Sequence, residues 1–178
     1  MKHSNEFDYN TCLMRISVKD NNALELLYRE MKDPIYRYAL TLLHDHSTAE
    51  DALQITFLKI MANADSYRPG ITAKAWIYTI VRNTCLDILR QRMPVVDDGF
   101  LESFSDNGMI DSLTDSIAVK EALSKLNSTE REIVSLYAFA GLKQTEIAKV
   151  MKMPYVKVRS VYGYAIKKLR KELADYDK

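Results

Sequence analysis

Aromatic, cationic and amide side chains occur close together in one stretch of the first half of the chain. They are Tyr67, Arg68, Trp76, Tyr78, Arg82 and Asn83. An unstacked nucleic-acid base is held by an aromatic ring on its face and an amide at its edge, while cations bind the neighbouring phosphates. These residue types therefore indicate binding of single-stranded nucleic acid. The same composition also fits an ordinary solvated helix face, which is the competing interpretation.

A strongly basic stretch lies near the end of the chain. Residues 143–171 contain nine basic residues and one acidic residue, Glu146, for a net charge of +8. A short helix over 143–151, a turn at 152–154 and a long helix from Tyr155 have the spacing of a helix-turn-helix. Cations at the front of the second helix indicate binding in the DNA major groove, and a merely basic surface helix is the alternative. The outward-facing residues of that helix include Lys157, Arg159, Ser160, Tyr164 and Lys167.

Helices must position both sets of residues, because apolar side chains recur three and four positions apart and the chain has only 5 Gly and 4 Pro. We predict an all-α fold. In the first half, helices are expected over 22–43, interrupted or kinked near Pro34, over 47–63 and over 73–92. Ser47 and Glu50 have the spacing of a capping box, which predicts that the second of these helices starts there.

Two further expectations concern side-chain placement and the second half of the chain. The helix over 73–92 is predicted to bury Ile77 and Val81 and to expose Tyr78 with Arg82 on its outer face. In the second half, helices are expected over 117–126, 128–140, 143–151 and 155–174. Gly141 is expected to end the second of these, because glycine tolerates the left-handed conformation.

The net charge of +1 conceals an uneven distribution. Residues 1–92 carry +1, residues 93–116 carry six acidic and no basic residues, and residues 117–178 carry +6. The middle segment also contains Pro94, Gly99 and no sustained helical period. We therefore predict two helical domains, over 1–92 and 117–178, joined by a flexible acidic linker over 93–116.

Several classes of protein are disfavoured by the sequence. The longest uncharged apolar stretch, 133–142, is about half of the roughly 20 residues that a membrane helix needs, and no signal peptide opens the chain. A cytosolic location without membrane insertion is therefore expected. Cys12 and Cys85 form no disulfide or zinc pattern, and His44 with His46 lacks a third ligand. We find no catalytic residues and no phosphate loop, so neither an enzyme, nor a metal or other cofactor, nor a small-molecule substrate is expected.

An ordered series of motifs is similar to a known family. Residues 49–54, with Phe57 and Leu58, and residues 76–83, with Asp87 and Arg90, match two motifs of the first domain. Residues 129–132, 145–148 and 165–170 match the second domain. Together they resemble the bacterial sigma-70-type factors of the short extracytoplasmic-function (ECF) group, over about residues 23–173.

The resemblance implies a subunit that binds core RNA polymerase and directs it to promoter DNA. Glu50, Asp51 and Gln54 would bind the polymerase clamp. Tyr67, Arg68, Trp76, Arg82 and Asn83 would capture a base of the minus-10 element. Lys157, Arg159 and Ser160, with Tyr164 and Lys167 on the same helix, would bind the minus-35 duplex. The acidic linker would occupy the RNA channel of the polymerase, and an anti-sigma factor would be a further partner.

Four departures from the family pattern affect these expectations. Ile55 takes the place of a glutamate that would contact the clamp, and Lys152 replaces the usual glycine of the helix-turn-helix turn. Lys157 replaces a threonine, and Tyr164 replaces an arginine, both in the recognition helix. These residues leave the minus-35 sequence and the strength of both contacts open. A free-standing helix-turn-helix regulator, or a degenerate sigma-like protein that acts through protein contacts, is the alternative.

Overall fold

The computed structural model describes residues 7–68, 72–92 and 122–176, and every regular element in these ranges is helical. The first unit contains four α-helices, and a single 3-10 turn, Ala64–Ser66, follows the third of them. None of the described helices is long and apolar enough to cross a membrane. The four helices are α1 (Tyr9–Ser17), α2 (Asn21–Leu43), α3 (His46–Asn63) and α4 (Ala73–Arg92).

Aspartate side chains cap the first three helices. The Asp8 carboxylate accepts hydrogen bonds from the backbone N–H groups of Asn10 and Thr11, and Asp20 does the same at the start of α2. At α3 the cap is Asp45, which accepts from the backbone N–H of Thr48 at 2.8 Å. The predicted start at Ser47 was therefore wrong, because a carboxylate two residues earlier satisfies the free N–H groups of the first turn.

The helix predicted over 22–43 is confirmed as α2, and Pro34 lies inside it. The helix predicted over 73–92 is confirmed as α4, which begins and ends at the predicted residues. One prediction for α4 was wrong: the side chain of Tyr78 is fully buried, as are Ile77 and Val81. Its ring packs edge-on against Tyr38 of α2, with 5.5 Å between ring centroids. Helix α4 therefore has a wider buried face than its apolar periodicity indicates.

The second unit begins with residues 122–124, which are helical, and continues with α5 (Ser128–Ala138), α6 (Gln144–Val150) and α7 (Tyr155–Tyr176). Asn127 and Glu130 form a capping box at the start of α5. Gly141 has the expected left-handed backbone, with φ of 64°, and Lys152 in the turn before α7 also does, with φ of 53°. The predicted helix-turn-helix is confirmed.

The two units pack directly against each other. Helix α2 contacts α5, and α4 contacts α6. Ile133, Leu136 and Ile147 of the second unit belong to the same buried apolar cluster as Tyr38 and Ile77 of the first. The predicted acidic linker, 93–116, and the start of the helix predicted over 117–126 lie outside the described residues.

Candidate nucleic-acid and polymerase interfaces

The predicted clamp-binding residues lie on the solvent-facing side of α3. Glu50, Asp51 and Gln54 are all exposed. Apolar side chains accompany them, because Ile55 is 37% exposed and Leu58 is 61% exposed. The opposite side of α3, with Ala52, Phe57 and Ile60, is buried in the core. The exposed side therefore combines negative charge with apolar surface, which suits a partner that presents basic and apolar groups.

The predicted base-binding residues are brought together on α4 and the loop before it, but they differ in exposure. Asn83 is exposed and Trp76 is partly buried, whereas the Tyr67 side chain is only 7% exposed. Tyr67 packs edge-on against Trp76, with 5.6 Å between centroids, and its hydroxyl donates a hydrogen bond to Oδ1 of Asn10 in α1. Arg68 donates to the backbone carbonyl of Tyr67 at 3.0 Å. In this arrangement Trp76, rather than Tyr67, offers aromatic surface to a ligand.

Arg82 is engaged by the second unit. Its Nε donates to Oε1 of Glu132 in α5 at 2.7 Å, and the Tyr38 hydroxyl donates to the same oxygen at 2.8 Å. The Arg82 and Glu132 side chains are only 14% and 10% exposed. Burial alone would lower the pKa of Arg82, but the adjacent Glu132 carboxylate raises it overall. Burial also raises the pKa of Tyr38, with Glu132 adding to the effect, so its hydroxyl keeps the donated proton.

We call the junction formed by Arg82, Glu132 and Tyr38 the inter-unit lock. Further contacts between the two units reinforce it. The Thr72 hydroxyl donates to the Glu146 carboxylate of α6, and the Arg37 guanidinium lies 5.9 Å from the Phe139 ring centroid. In the sequence, Glu132 belongs to the predicted helix over 128–140 and to the motif at residues 129–132, and its partner lies 50 residues away. Because no short-range spacing links Glu132 to Arg82, their pairing had no signal in the sequence.

The predicted duplex-binding residues form an exposed surface on α7. Lys157, Arg159, Ser160, Tyr164 and Lys167 are all exposed, whereas Val158 and Ala165 on the opposite side are buried. Lys168 contributes differently, because its Nζ is bound at 2.8 Å to both carboxylate oxygens of Glu130. The exposed surface thus keeps its cations available to phosphates, while Lys168 fixes α7 to the start of α5.

Comparison with known proteins agrees with the order of these elements. The model for Sigma-70 region 2 matches residues 27–94, and the model for Sigma-70, region 4 matches residues 122–171. RNA polymerase sigma factor SigV of Bacillus subtilis is 30% identical over 148 residues, which are 82% of this chain and 88% of that protein. ECF RNA polymerase sigma factor SigM of the same species is 26% identical over 153 residues, or 83% of this chain and 93% of SigM.

A solved structure extends the likeness to three dimensions. The sigma factor RpoE of Bartonella quintana, in complex with the anti-sigma factor NepR, superposes with a TM-score of 0.62. The two chains are 28% identical, and the match covers 83% of this chain and 96% of RpoE. The region 2 match covers most of the first helical unit, without α1, and the region 4 match covers most of the second. The chain belongs to the extracytoplasmic-function group of the sigma-70 family and is a sigma factor that directs transcription initiation.

Proposed function

We propose that the first unit, within residues 1–92, binds core RNA polymerase and the minus-10 element, and that the second, within 117–178, binds the minus-35 duplex. Residues 93–116 would connect them through the polymerase. The exposed basic surface of α7 in a helix-turn-helix is the observation that carries the promoter assignment. Chemistry would belong to the polymerase and not to this chain, and the site of action would be the cytoplasm.

The polymerase contact is assigned to the exposed side of α3. Asp51 and Glu50 supply negative charge, Gln54 supplies hydrogen bonds, and Ile55 with Leu58 supplies apolar area. Ile55 would replace a charged contact with an apolar one, so the interface would depend less on salt than a purely ionic one.

The minus-10 contact is assigned to Asn83, Trp76, Arg68, Tyr67 and Arg82. Extruding a base costs a few kcal/mol, which stacking and hydrogen bonds in a pocket offset. Because Arg82 is bound to Glu132, we propose that the inter-unit lock opens when the protein binds polymerase. The separated units could then lie on two promoter elements at the same time.

An anti-sigma factor is proposed as a further partner. The similar protein RpoE is found in complex with NepR. The chain itself offers a cleft between its two units, whose walls include Leu42 and Leu89 on one side and Met153 and Val161 on the other. A partner held there would keep the units in the closed arrangement.

The function is tested by run-off transcription with core polymerase and genomic fragments, followed by mapping of start sites. We expect transcripts from a defined promoter set that carries conserved minus-35 and minus-10 elements. If no genomic fragment gave transcripts that depend on the added protein, the proposal would be rejected.

The polymerase surface is tested separately by Asp51→Lys. We expect at least tenfold weaker binding to core polymerase, because the substitution reverses a charge at the interface. Glu25→Lys is the matched control, because Glu25 is exposed near the far end of α2, away from the turn that joins α2 to α3. Equal affinity for both variants and the parent protein would remove α3 from the interface.

A further inference from the structure

An exposed apolar side chain stands at the front of the recognition helix. Val156 is the second residue of α7, and its side chain is 76% exposed, whereas Val158 is fully buried. Burial of apolar area stabilises a fold, and a valine that remains in water contributes little of this stabilisation. Packing within the chain therefore does not explain the residue at this position, which lies next to Lys157 in the first turn of the helix.

Val156 lies at one end of a shallow groove along the outer side of α7. The groove continues past Gly163, where a Cβ atom would meet nothing within 4 Å. Glycine is unfavourable in a helix interior, and no internal contact requires it here. The missing side chain leaves room for a molecule outside the chain. The groove is lined by Val156, Arg159, Ser160, Gly163, Tyr164 and Lys167.

The charge of the groove identifies its occupant as duplex DNA. Arg159 and Lys167 are cationic, and none of its lining residues is acidic. Phosphates are the groups that such cations bind most generally, and the first turns of a helix-turn-helix recognition helix lie against base edges in the major groove. Thymine is distinguished there by an apolar feature, its C5 methyl group.

We propose that Val156 contacts the C5 methyl group of a thymine, so that this methyl group strengthens binding to the minus-35 element. The inference rests on the proposed function, in which α7 enters that duplex. Arg159 and Ser160 lie one turn further along α7 and supply hydrogen bonds to base edges. Lys167 lies eleven residues beyond Val156, roughly 16 Å along the helix, which exceeds the major-groove width of about 12 Å. It is therefore assigned to a phosphate.

The test removes the C5 methyl group of a thymine from the DNA and, separately, the methyl groups of Val156 from the protein. Full-length protein and core polymerase are bound to a promoter found by run-off transcription, with each thymine of its minus-35 element replaced in turn by deoxyuridine. For the parent protein, one replacement should weaken binding about three- to fivefold, as expected for one methyl group. Val156→Ala should lose a similar factor on the thymine duplex and be insensitive to that replacement.

Val18→Ala is the matched control, because Val18 is 77% exposed and follows α1 in the other unit. It should behave as the parent protein on every duplex. If the affinity losses from Val156→Ala and from the deoxyuridine replacement multiplied when the two were combined, the inference would be overturned. It would also be overturned if the parent protein bound every deoxyuridine duplex as tightly as the thymine duplex. Reduced polymerase binding by Val156→Ala, without any change in DNA preference, would make this a protein contact and also overturn it. A parent protein that initiates nowhere would instead reject the proposed function.

Discussion

The two candidate DNA surfaces differ in how much of each is available to a ligand. On α4 and the segment before it, Arg82 is held by Glu132 and the Tyr67 ring is buried, so two of the five expected base-binding residues are already engaged within the chain. On α7, Arg159 and Lys167 project into solvent beside an open groove. The closed arrangement thus engages Arg82 of the candidate single-strand surface and leaves the candidate duplex surface on α7 accessible.

This difference indicates which event requires a conformational change. In the proposed function, α7 can bind a duplex without rearrangement, whereas contact between Arg82 and an extruded base requires that Glu132 be displaced. Because the buried core is continuous between the units, opening also exposes apolar area that includes Ile133 and Leu136. A ligand can shift this equilibrium only by its differential affinity for the open form, and the polymerase is the partner proposed to supply it.

The largest effect is expected when the lock is broken. Glu132→Ala leaves the Arg82 guanidinium and the Tyr38 hydroxyl without their shared acceptor, and loss of one partner of a buried pair costs about 3–5 kcal/mol. We expect the closed arrangement to open, with a larger radius of gyration in small-angle scattering and unchanged helical content by circular dichroism. Both DNA surfaces would then be available.

Glu25→Ala is the control for this experiment, because it removes a carboxylate from an exposed pair with Arg29 within α2. It should leave the radius of gyration unchanged. If Glu132→Ala also remained as compact as the parent protein, the lock would not hold the units together. Glu132→Gln, which keeps an acceptor but no charge, should give an intermediate result.

The next largest effect is a loss of folding stability at high pH, which arises from the buried thiol of Cys85 on α4. Burial raises the pKa of the Cys85 thiol from its usual 9.0 to about 12, and the nearby Glu132 carboxylate adds to the rise. The folded protein keeps the proton that the unfolded chain releases above about pH 9. Stability should therefore fall as the pH rises from 9 to 12, by up to about 4 kcal/mol from this group.

Urea unfolding at pH 8 and at pH 11 measures this loss. Cys85→Ala should show a smaller decrease in stability between the two pH values than the parent protein. Cys12→Ala, at a buried position of α1, is the comparison variant. Identical decreases for Cys85→Ala and the parent protein would contradict the assignment. Glu132→Ala should also show a smaller decrease, because the Glu132 carboxylate contributes to the raised pKa of Cys85.

The smallest effect is expected on the open surface. Arg159→Ala should weaken binding to the minus-35 duplex by about 1–3 kcal/mol if Arg159 contacts a base edge, because a good base contact is worth that much. The radius of gyration should not change, since Arg159 is outside the lock. Filter binding to the parent element and to single-base variants distinguishes the roles, because an equal loss on every sequence would make Arg159 a phosphate contact.

The regular elements were largely predictable because their signals are local. Helix α4 was predicted at both ends, and the turn at Gly141 follows from the conformational freedom of one residue. Helix α1 was not predicted, although Asp8 and Asp20 carry capping signals at its start and just after its end. The start of α3 was misplaced because Ser47 and Asp45 are both competent caps and only the fold selects between them.

The site was predictable in its residue types and not in their pairing. Tyr78 was expected on the exposed side of α4, but the Tyr38 ring packs against it from α2. Arg82 was expected to face a ligand, and Glu132 binds it from α5. Both outcomes depend on contacts between distant segments, which helical periodicity cannot encode.

Lys152 has a consequence for heat resistance. Its left-handed backbone is one that glycine adopts without penalty and that costs a residue with a Cβ atom about 1 kcal/mol. In a protein of this size that free energy corresponds to about 2–4 °C in melting temperature. The exposed lysine places a positive charge in the turn beside the recognition helix. The turn is therefore a few degrees less heat-resistant than a glycine would make it, and it carries a cation beside the helix proposed to bind DNA.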